Sequence, residues 1–420
     1  MSQKAEKPSL SGQRLKTRKR DEKEKYDPSS FRDAIIQGLN ETGGDLELVS
    51  KFLDISGSKL DYRRYAEVLF DILFAGGQLA PGGSIVEEQD ETKVYRTDIC
   101  VFAVEESKDS LKAFYEVFVK LIRRYKYLER SFEEVIKKLF LFLKGFQDDA
   151  HQKFAVILGI MLANSFLNPK ALSNLFEDHL SKDGTALRFA TVMFRTWLEE
   201  KDIASLVGTL KKAQLDTRLL ELFPMNKRNQ EAFVSHFKQE GLKAIADFQD
   251  KQQTAETKKE LQKKLSEMIK DEEQVKDVIS YVTEHAQKND LVDLDVVILV
   301  WNTLMSGMEW NKKEELVADQ ALKHLKTYCP LLHEVAKTPN AELRLIVKIQ
   351  EYCYENMNFM NVFQKIVVLL YKTEVLSEDV ILKWYKESHS AKGKSVFLAQ
   401  MKNFIEWLEN AEEESEEEDD

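Results

Sequence analysis

Apolar side chains recur every three or four residues along almost the whole chain, a spacing that places them on one face of a helix. Glycine and proline, which interrupt helices, number only 16 and 7 among 420 residues. The sequence therefore predicts an all-α protein in which consecutive helices pair and stack. The predicted helices span residues 62–74, 111–128, 132–146, 153–166, 186–198 and 203–213 in the first part, and 261–269, 275–285, 294–304, 316–328, 343–354 and 361–371 in the second.

Polar stretches between these segments suggest where the chain divides. Residues 224–229 and 248–257 are polar and predict a break followed by a linker. Residues 94–104 carry β-branched side chains without a helical pattern, which is typical of a short extended segment. We predict a disordered basic arm (1–27), a HEAT-like helical domain (28–245), a second helical domain (246–412) and an acidic tail (413–420).

The net charge of −11 is distributed unevenly. Residues 14–20 hold five basic residues and no acid, whereas nine of the last twelve residues are Asp or Glu. Such asymmetry indicates charged macromolecular partners rather than a small-molecule pocket. A nuclear address, a nucleic-acid contact and a solvated tail all remain open for the basic residues Arg14, Lys16, Arg18, Lys19 and Arg20.

A heptad of leucines follows the basic run and imitates a leucine zipper. Leu39, Leu46, Leu53 and Leu60 are spaced by seven residues. A zipper requires one unbroken helix, but four glycines lie within residues 38–57, and each costs about 1 kcal/mol relative to alanine. We therefore predict separate short helices and no sequence-specific DNA binding of the zipper type.

Residues that commonly perform catalysis or bind metals are scattered. Cys100, Cys329 and Cys353 lack CxxC spacing, which indicates buried thiols in a reducing compartment and excludes a zinc ribbon. Residues 393–395 resemble the end of a phosphate-binding loop, but no leading glycine or strand precedes them. The polar N-terminus and the lack of a run of about 18 apolar residues predict neither a secretory signal nor a membrane span. We predict a protein that is not an enzyme and uses no metal or cofactor.

The strongest basic and aromatic cluster of the helical part lies within residues 115–130. If this stretch formed one helix, Arg123, Lys126 and Arg130 would share a face. That face would meet an acidic partner, RNA phosphates or solvent alone, and no nucleic-acid motif accompanies it.

Two segments near the C-terminus join aromatic and acidic residues. In the first, Ser377 suits a helix N-cap, with Glu378 and Asp379 in the first turn, where the helix dipole favours carboxylates. In the second, an apolar helical face runs into an acidic stretch whose like charges should extend it into solvent. The candidate binding residues are Tyr371, Glu374, Glu378, Asp379, Trp384 and Tyr385 in the first segment, and Glu406, Trp407, Glu409, Glu412, Glu413, Glu414, Glu416, Glu417 and Glu418 in the second.

The segments YKTEVLSEDVILKWY (371–385) and FIEWLENAEEESEEE (404–418) resemble the two aromatic and acidic boxes of the W2 domain. That domain ends initiation factor 5, the epsilon subunit of initiation factor 2B and some initiation factor 4G proteins. The whole chain is similar to the basic leucine zipper and W2 domain-containing proteins, also called initiation factor 5 mimic proteins. This resemblance implies a HEAT-like or MIF4G-like helical stack followed by a W2 α-solenoid domain.

The resemblance also implies a function. In that family the boxes bind lysine-rich segments of other initiation factors. The partners that we expect are such segments of initiation factor 2 beta and of initiation factor 3 subunits, with the 40S preinitiation complex as a further candidate. Residues 1–245 do not resemble the GTPase-activating module of initiation factor 5. The resemblance thus implies a non-catalytic, cytoplasmic competitor that modulates preinitiation complex assembly and start-codon stringency.

We hypothesise that carboxylates steer the lysine-rich segment while exposed edges of Tyr371, Trp384, Tyr385 or Trp407 pack on its aliphatic stems. Rings are needed because exposed ion pairs contribute about 0 to 1 kcal/mol each, whereas micromolar binding requires about 8 kcal/mol. Two alternatives stay open: a nuclear transcription cofactor or adaptor directed by the basic run, and a helical scaffold with a solubilising tail.

Overall fold

The computed structural model describes residues 26–79, 96–388 and 390–418, and for residues 314–315, 388 and 411–418 it describes the backbone alone. The elements of this part are helices, so the predicted all-α fold is confirmed. Contacts divide the chain into two compact units, Met1–Phe248 and Gln249–Asp420, each with its own apolar core. No helix among the described residues combines the length and apolarity that crossing a bilayer requires.

The helices of the first unit begin where the sequence supplies caps. Asp27 accepts the Ser30 amide at the start of the first helix, and Asp45 accepts the Glu47 and Leu48 amides at the start of the second. In chain order the helices are α1 (Pro28–Glu41), α2 (Leu46–Ser56), α3 (Ala66–Ala75), α4 (Lys108–Arg124), α5 (Glu129–Leu141), α6 (Asp148–Ala163), α7 (Asp178–Ser181), α8 (Thr185–Glu200), α9 (Ile203–Lys212), α10 (Gln230–Gln239) and α11 (Lys243–Lys270), which runs across the division between the units.

These helices form a stack of pairs. Helix α1 packs on α3, α2 on α4, α3 on α5, α4 on α6, and α6 on α8, so most helices contact the second helix along the chain. Helices α6 and α8 approach closely at Gly159, where a Cβ atom would lie 2.7 Å from the Met193 carbonyl oxygen. Phenylalanine rings fill the core between layers, with Phe74 stacked on Phe118 at a centroid distance of 4.9 Å.

The leucines of the heptad do not share one helix: Leu46 lies on α2 together with Leu53, and Leu60 follows that helix. Leu39 belongs to α1 and Leu53 to α2, and both are buried in the core of the first unit. The chain turns between them at Gly43 and Gly44, whose φ angles of 64° and 86° lie in the left-handed region. These leucines therefore form no zipper seam, as predicted.

The basic cluster of residues 115–130 is not one helix. Helix α4 ends at Arg124, and a 3-10 turn, Lys126–Leu128, separates it from α5. The break occurs at Tyr125, whose hydroxyl donates to the Asp54 carbonyl oxygen at 2.6 Å. The prediction of one shared basic face is therefore wrong, because a tertiary contact ends the helix in the middle of the cluster.

Two further local predictions differ from the structure. Residues 248–257, predicted as a linker, lie inside α11, and the division between the units falls at their start, after Phe248. That helix contains no glycine or proline and is rich in Lys, Glu, Gln and Ala, which are good helix formers. Residues 96–104, the described part of the predicted extended segment, form bends and turns, because amides such as that of Val101 donate to the end of α3, here to the Leu73 carbonyl oxygen at 2.9 Å.

The first described residues are already packed. The Tyr26 ring stacks on Tyr65 at a centroid distance of 5.2 Å, and the Asp27 amide donates to the Tyr65 hydroxyl at 2.9 Å. These two residues thus belong to the folded unit rather than to the predicted disordered arm. The rest of that arm, including the basic residues 14–20, lies outside the described residues.

The second unit repeats the stacking of helical pairs. Each helix of this unit packs on the second helix after it along the chain. The last three helices carry the two aromatic and acidic segments. A π turn, Trp384–Ser388, follows the penultimate helix. The helices are α12 (Val275–Lys288), α13 (Asp293–Ser306), α14 (Glu314–Val335), α15 (Pro339–Glu355), α16 (Phe363–Lys372), α17 (Glu378–Lys383) and α18 (Lys394–Glu418).

Candidate aromatic and acidic binding surface

Three aromatic rings from two helices meet near the C-terminal end of the second unit. Phe404 and Trp407 of α18 are stacked, with centroids 5.8 Å apart and planes 13° apart. Tyr371 of α16 meets both rings edge-on, at 5.6 Å from Phe404 and 6.3 Å from Trp407. Trp407 is 54% exposed. These three residues, which we call the ring platform, offer accessible apolar surface to a partner.

The register of α18 explains why Trp407 faces solvent. Phe397, Met401, Ile405 and Leu408 are its buried positions, spaced by four, four and three residues along one face. Trp407 falls beside this stripe rather than on it. The helix is therefore anchored by the stripe while the indole stays accessible.

Trp384 is fully buried, which corrects the hypothesis that its edge contacts a partner. Its ring packs on Phe363 with centroids 5.1 Å apart, and its Nε1–H donates to Gln350 Oε1 at 3.0 Å. The indole is buried because it lies one helical turn beyond the apolar stripe of α17 and continues that stripe into the core. Trp384 thus has a structural role, while the neighbouring Tyr385 is half-buried.

The first acidic segment is held by two side chains from earlier helices. His333 Nδ1 donates to the Glu374 carbonyl oxygen at 2.7 Å, and Glu374 adopts a φ angle of 60°. Glu342 of α15 accepts both the amide and the hydroxyl of Ser377 at 2.6 Å. The predicted N-cap position of Ser377 is confirmed, but its hydroxyl binds Glu342 instead of capping α17. Sequence analysis missed His333 and Glu342 because they lie 41 and 35 residues upstream of their partners.

One carboxylate borders the ring platform, and two others lie in the same segment of the chain. Glu378 Oε2 accepts the Tyr371 hydroxyl over 3.4 Å. Burial, reinforced by the negative charge of Glu378, raises the pKa of Tyr371 above its usual value. The exposed Glu374 and Asp379 form no ion pair with any described residue, so their charges are available to a cationic partner.

Lysines of the same unit neutralise two other predicted carboxylates. Lys402 Nζ lies 3.8 Å from Glu406, one helical turn away on α18, and Lys386 Nζ lies 3.4 Å from Glu409. All four side chains are between 46% and 66% exposed, so these pairs are solvated and weak. A lysine from a partner would therefore replace Lys402 or Lys386 in these pairs with little loss of free energy.

The backbone of α18 continues to Glu418, although the sequence predicts an extended tail. A helix nucleated by its buried turns extends at little cost, and glutamate is a good helix former. A contact of the acidic run with a partner remains a prediction, because the described residues do not include the side chains of Glu412, Glu413, Glu414, Glu416, Glu417 and Glu418.

The described residues do not contain a cluster of three or more His, Cys, Asp or Glu side chains placed to hold a metal ion. Gly393, part of the sequence that resembles a phosphate-binding loop, has a φ angle of 65° and precedes α18. A Cβ atom there would lie 2.4 Å from the Phe397 ring. Packing and backbone conformation thus account for this glycine.

Comparison with known proteins covers both units. Residues 15–259 match the family described as the 5MP1/2 HEAT domain, and residues 341–418 match the W2 family, described as eIF4-gamma/eIF5/eIF2-epsilon. The chain is 56% identical over 418 residues to eIF5-mimic protein 2 of Gallus gallus, covering 100% of this chain and 99% of the relative. It is also 56% identical over 417 residues to eIF5-mimic protein 2 of Homo sapiens, and 56% identical over 415 residues to eIF5-mimic protein 1 of Danio rerio, covering in each case 99% of this chain and 98% of the relative.

Proposed function

Because the chain belongs to the eIF5-mimic protein family, we propose that it regulates translation initiation by occupying lysine-rich segments of initiation factor 2 beta and of initiation factor 3 subunits. Proteins of this family are non-catalytic W2 proteins, so the chain acts by competing for partners rather than by chemistry. The proposed outcome is altered assembly of the preinitiation complex and altered start-codon stringency in the cytoplasm.

The observation that carries this proposal is the exposed Trp407 ring in a unit whose exposed Glu374 and Asp379 form no ion pair with any other described residue. The aliphatic stem of one lysine packs on the indole, and the ammonium groups of others pair with Glu374 and Asp379. An exposed cation–ring contact contributes about 0.5 to 1 kcal/mol, and each exposed ion pair contributes about 0 to 1 kcal/mol. Several lysines acting together are therefore needed, which favours a lysine-rich segment over a single lysine.

Calorimetric titration of the full chain with a lysine-rich peptide of initiation factor 2 beta tests the proposal. We expect affinity to fall between ionic strengths of about 0.05 M and about 0.15 M, because solvated charges are screened. The double variant Glu374→Gln, Asp379→Asn and the single variant Trp407→Ala should each bind more weakly.

The matched control is Glu116→Gln, which removes an exposed charge from α4 of the first unit. This variant should bind as the wild type does. Undiminished binding by a charge-reversed variant, Glu374→Lys with Asp379→Lys, would show that the surface is not the contact.

A further inference from the structure

Exposed tyrosines and arginines cluster on the first unit, at a place without an assigned role. The Arg63 guanidinium lies over the Tyr127 ring, 4.6 Å from its centroid, and Tyr127 is 41% exposed. The Arg64 guanidinium lies 5.4 Å from the centroid of Tyr26, which is 57% exposed. The two arginines are neighbours in the segment that precedes α3, and a continuous series of ring contacts joins the two tyrosines through Tyr65, Phe31, Tyr62 and Tyr125.

Each exposed tyrosine ring packs on another ring that lies closer to the core. Tyr26 stacks on Tyr65, and Tyr65 in turn stacks on the buried Phe31 at a centroid distance of 4.9 Å. Tyr127 packs against Tyr125, whose hydroxyl is bonded to α2. The exposed faces are therefore preorganised by the core and lose little conformational entropy on binding. We call Tyr26, Arg63, Arg64 and Tyr127 the arginine–tyrosine surface.

These cation–ring contacts are unusual because they cluster in one place, not because they are numerous. Cation–ring pairs occur about once per 70–80 residues in proteins generally. Four of the five such contacts among the described residues lie in or beside this surface, and the other lies on Phe176.

The charge of Arg63 is open to an anion. Arg63 forms no ion pair with any described residue, whereas the nearby Arg124 is paired with Asp54 at 2.9 Å. The nearby Asp61 is exposed, and its carboxylate accepts the Arg64 amide at 3.1 Å. A guanidinium without a carboxylate partner is notable in a chain whose net charge is −11.

We propose that the arginine–tyrosine surface binds single-stranded RNA. Unpaired bases stack on the tyrosine rings and on the guanidinium planes, while Arg63 neutralises a phosphate. An acidic peptide would use the charge but would gain little from flat ring faces, which is why the geometry favours RNA. The site belongs to the first unit and does not depend on the function proposed for the ring platform.

Fluorescence anisotropy of the full chain with a labelled oligouridylate of about 12 nucleotides tests the proposal. Tyr127→Ala and Arg63→Gln should each weaken binding about fivefold or more, because stacking and phosphate contacts are lost. Tyr127→Phe keeps the ring and should retain the affinity. Arg63→Lys keeps the charge but not the plane and should fall between wild type and Arg63→Gln.

The matched control is Arg344→Gln, which removes an exposed arginine from α15 that contacts no described ring. It should leave RNA affinity unchanged, and circular dichroism should show that every variant is folded. Three results would overturn the proposal: no RNA binding at low salt, equal losses in Arg344→Gln and Arg63→Gln, or losses only when the basic residues 14–20 are neutralised. Tighter binding of a glutamate-rich peptide through the same residues would likewise replace RNA by an acidic protein partner.

Discussion

The indole Nε1–H of Trp384 donates to Oε1 of Gln350 across 3.0 Å, and neither side chain reaches solvent. The same Oε1 accepts the Ser390 amide at 2.9 Å. The Nε2 group donates to the carbonyl oxygens of Ser390 and Lys392 at 2.9 and 2.7 Å. One buried glutamine therefore joins the indole to the segment that leads into α18, and so fixes the helix that carries Trp407.

Replacing this glutamine should destabilise the second unit. Gln350→Leu leaves the Trp384 N–H and three backbone groups without their partner, at a cost of about 3 kcal/mol. Urea denaturation followed by tryptophan fluorescence measures the loss. Gln287→Leu, on an exposed position of α12, is the control and should change stability by less than about 0.5 kcal/mol. Equal midpoints for both variants would contradict the importance of the buried network.

The two tryptophans of the candidate segments should behave in opposite ways. Trp384→Ala removes a fully buried ring and should cost about 3 to 5 kcal/mol of stability. Trp407→Ala should cost less than about 1 kcal/mol but weaken binding of a lysine-rich peptide. Urea denaturation and calorimetric titration on both variants separate the two effects. A large stability loss in Trp407→Ala with unchanged binding would reverse the assignment.

Glu342 should act as a positioning residue for the first acidic segment, which holds Glu374, Glu378 and Asp379. Glu342→Ala removes the acceptor of the Ser377 amide and hydroxyl, so exchange of that amide with solvent deuterium should accelerate about tenfold. Peptide binding should weaken, because Glu378 and Asp379 lose their fixed orientation. Glu342→Gln retains an acceptor oxygen and should show a smaller change in both measurements. If the exchange rate of the Ser377 amide were unchanged in Glu342→Ala, Glu342 would not position this segment.

His324 should make the second unit sensitive to acid. Burial lowers the pKa of His324 below its usual value, although its hydrogen bond to the Leu304 carbonyl oxygen opposes this shift. The unfolded chain therefore binds the proton more readily. Stability associated with the neutral imidazole is present above a pH of about 6.5 and is lost as the pH falls through the folded pKa. Between about pH 7 and about pH 5, the urea midpoint should fall more steeply for wild type than for His324→Gln; parallel slopes would exclude the effect.

The three cysteines should resist modification in the folded protein. All three are buried, and burial raises the pKa of Cys100 to about 11 and that of Cys353 above its usual value. Iodoacetamide at about pH 8 should label none of them until urea is added, and mass spectrometry counts the adducts. Rapid labelling of the native chain would show that a core opens locally.

Helical periodicity was sufficient to predict the fold class and most helices, because stripes at three and four spacing can be buried only by packing helix on helix. The predictions that the structure corrects have two causes. A distant group overrides local preference where Tyr125 ends α4 through its bond to Asp54. At residues 248–257 the polar composition suggested a linker, although nothing in them breaks a helix.

The sequence by itself determined that the chain is helical, that the leucine heptad is interrupted, and that two aromatic and acidic segments close the chain. Only the tertiary structure decided that Trp384 is buried and Trp407 exposed, that Glu342 binds Ser377 in the first acidic segment, and that Arg63 lies over Tyr127. The physical reason is that periodicity defines the apolar face of each helix, whereas burial depends on which neighbour covers that face. That neighbour can come from any part of the chain.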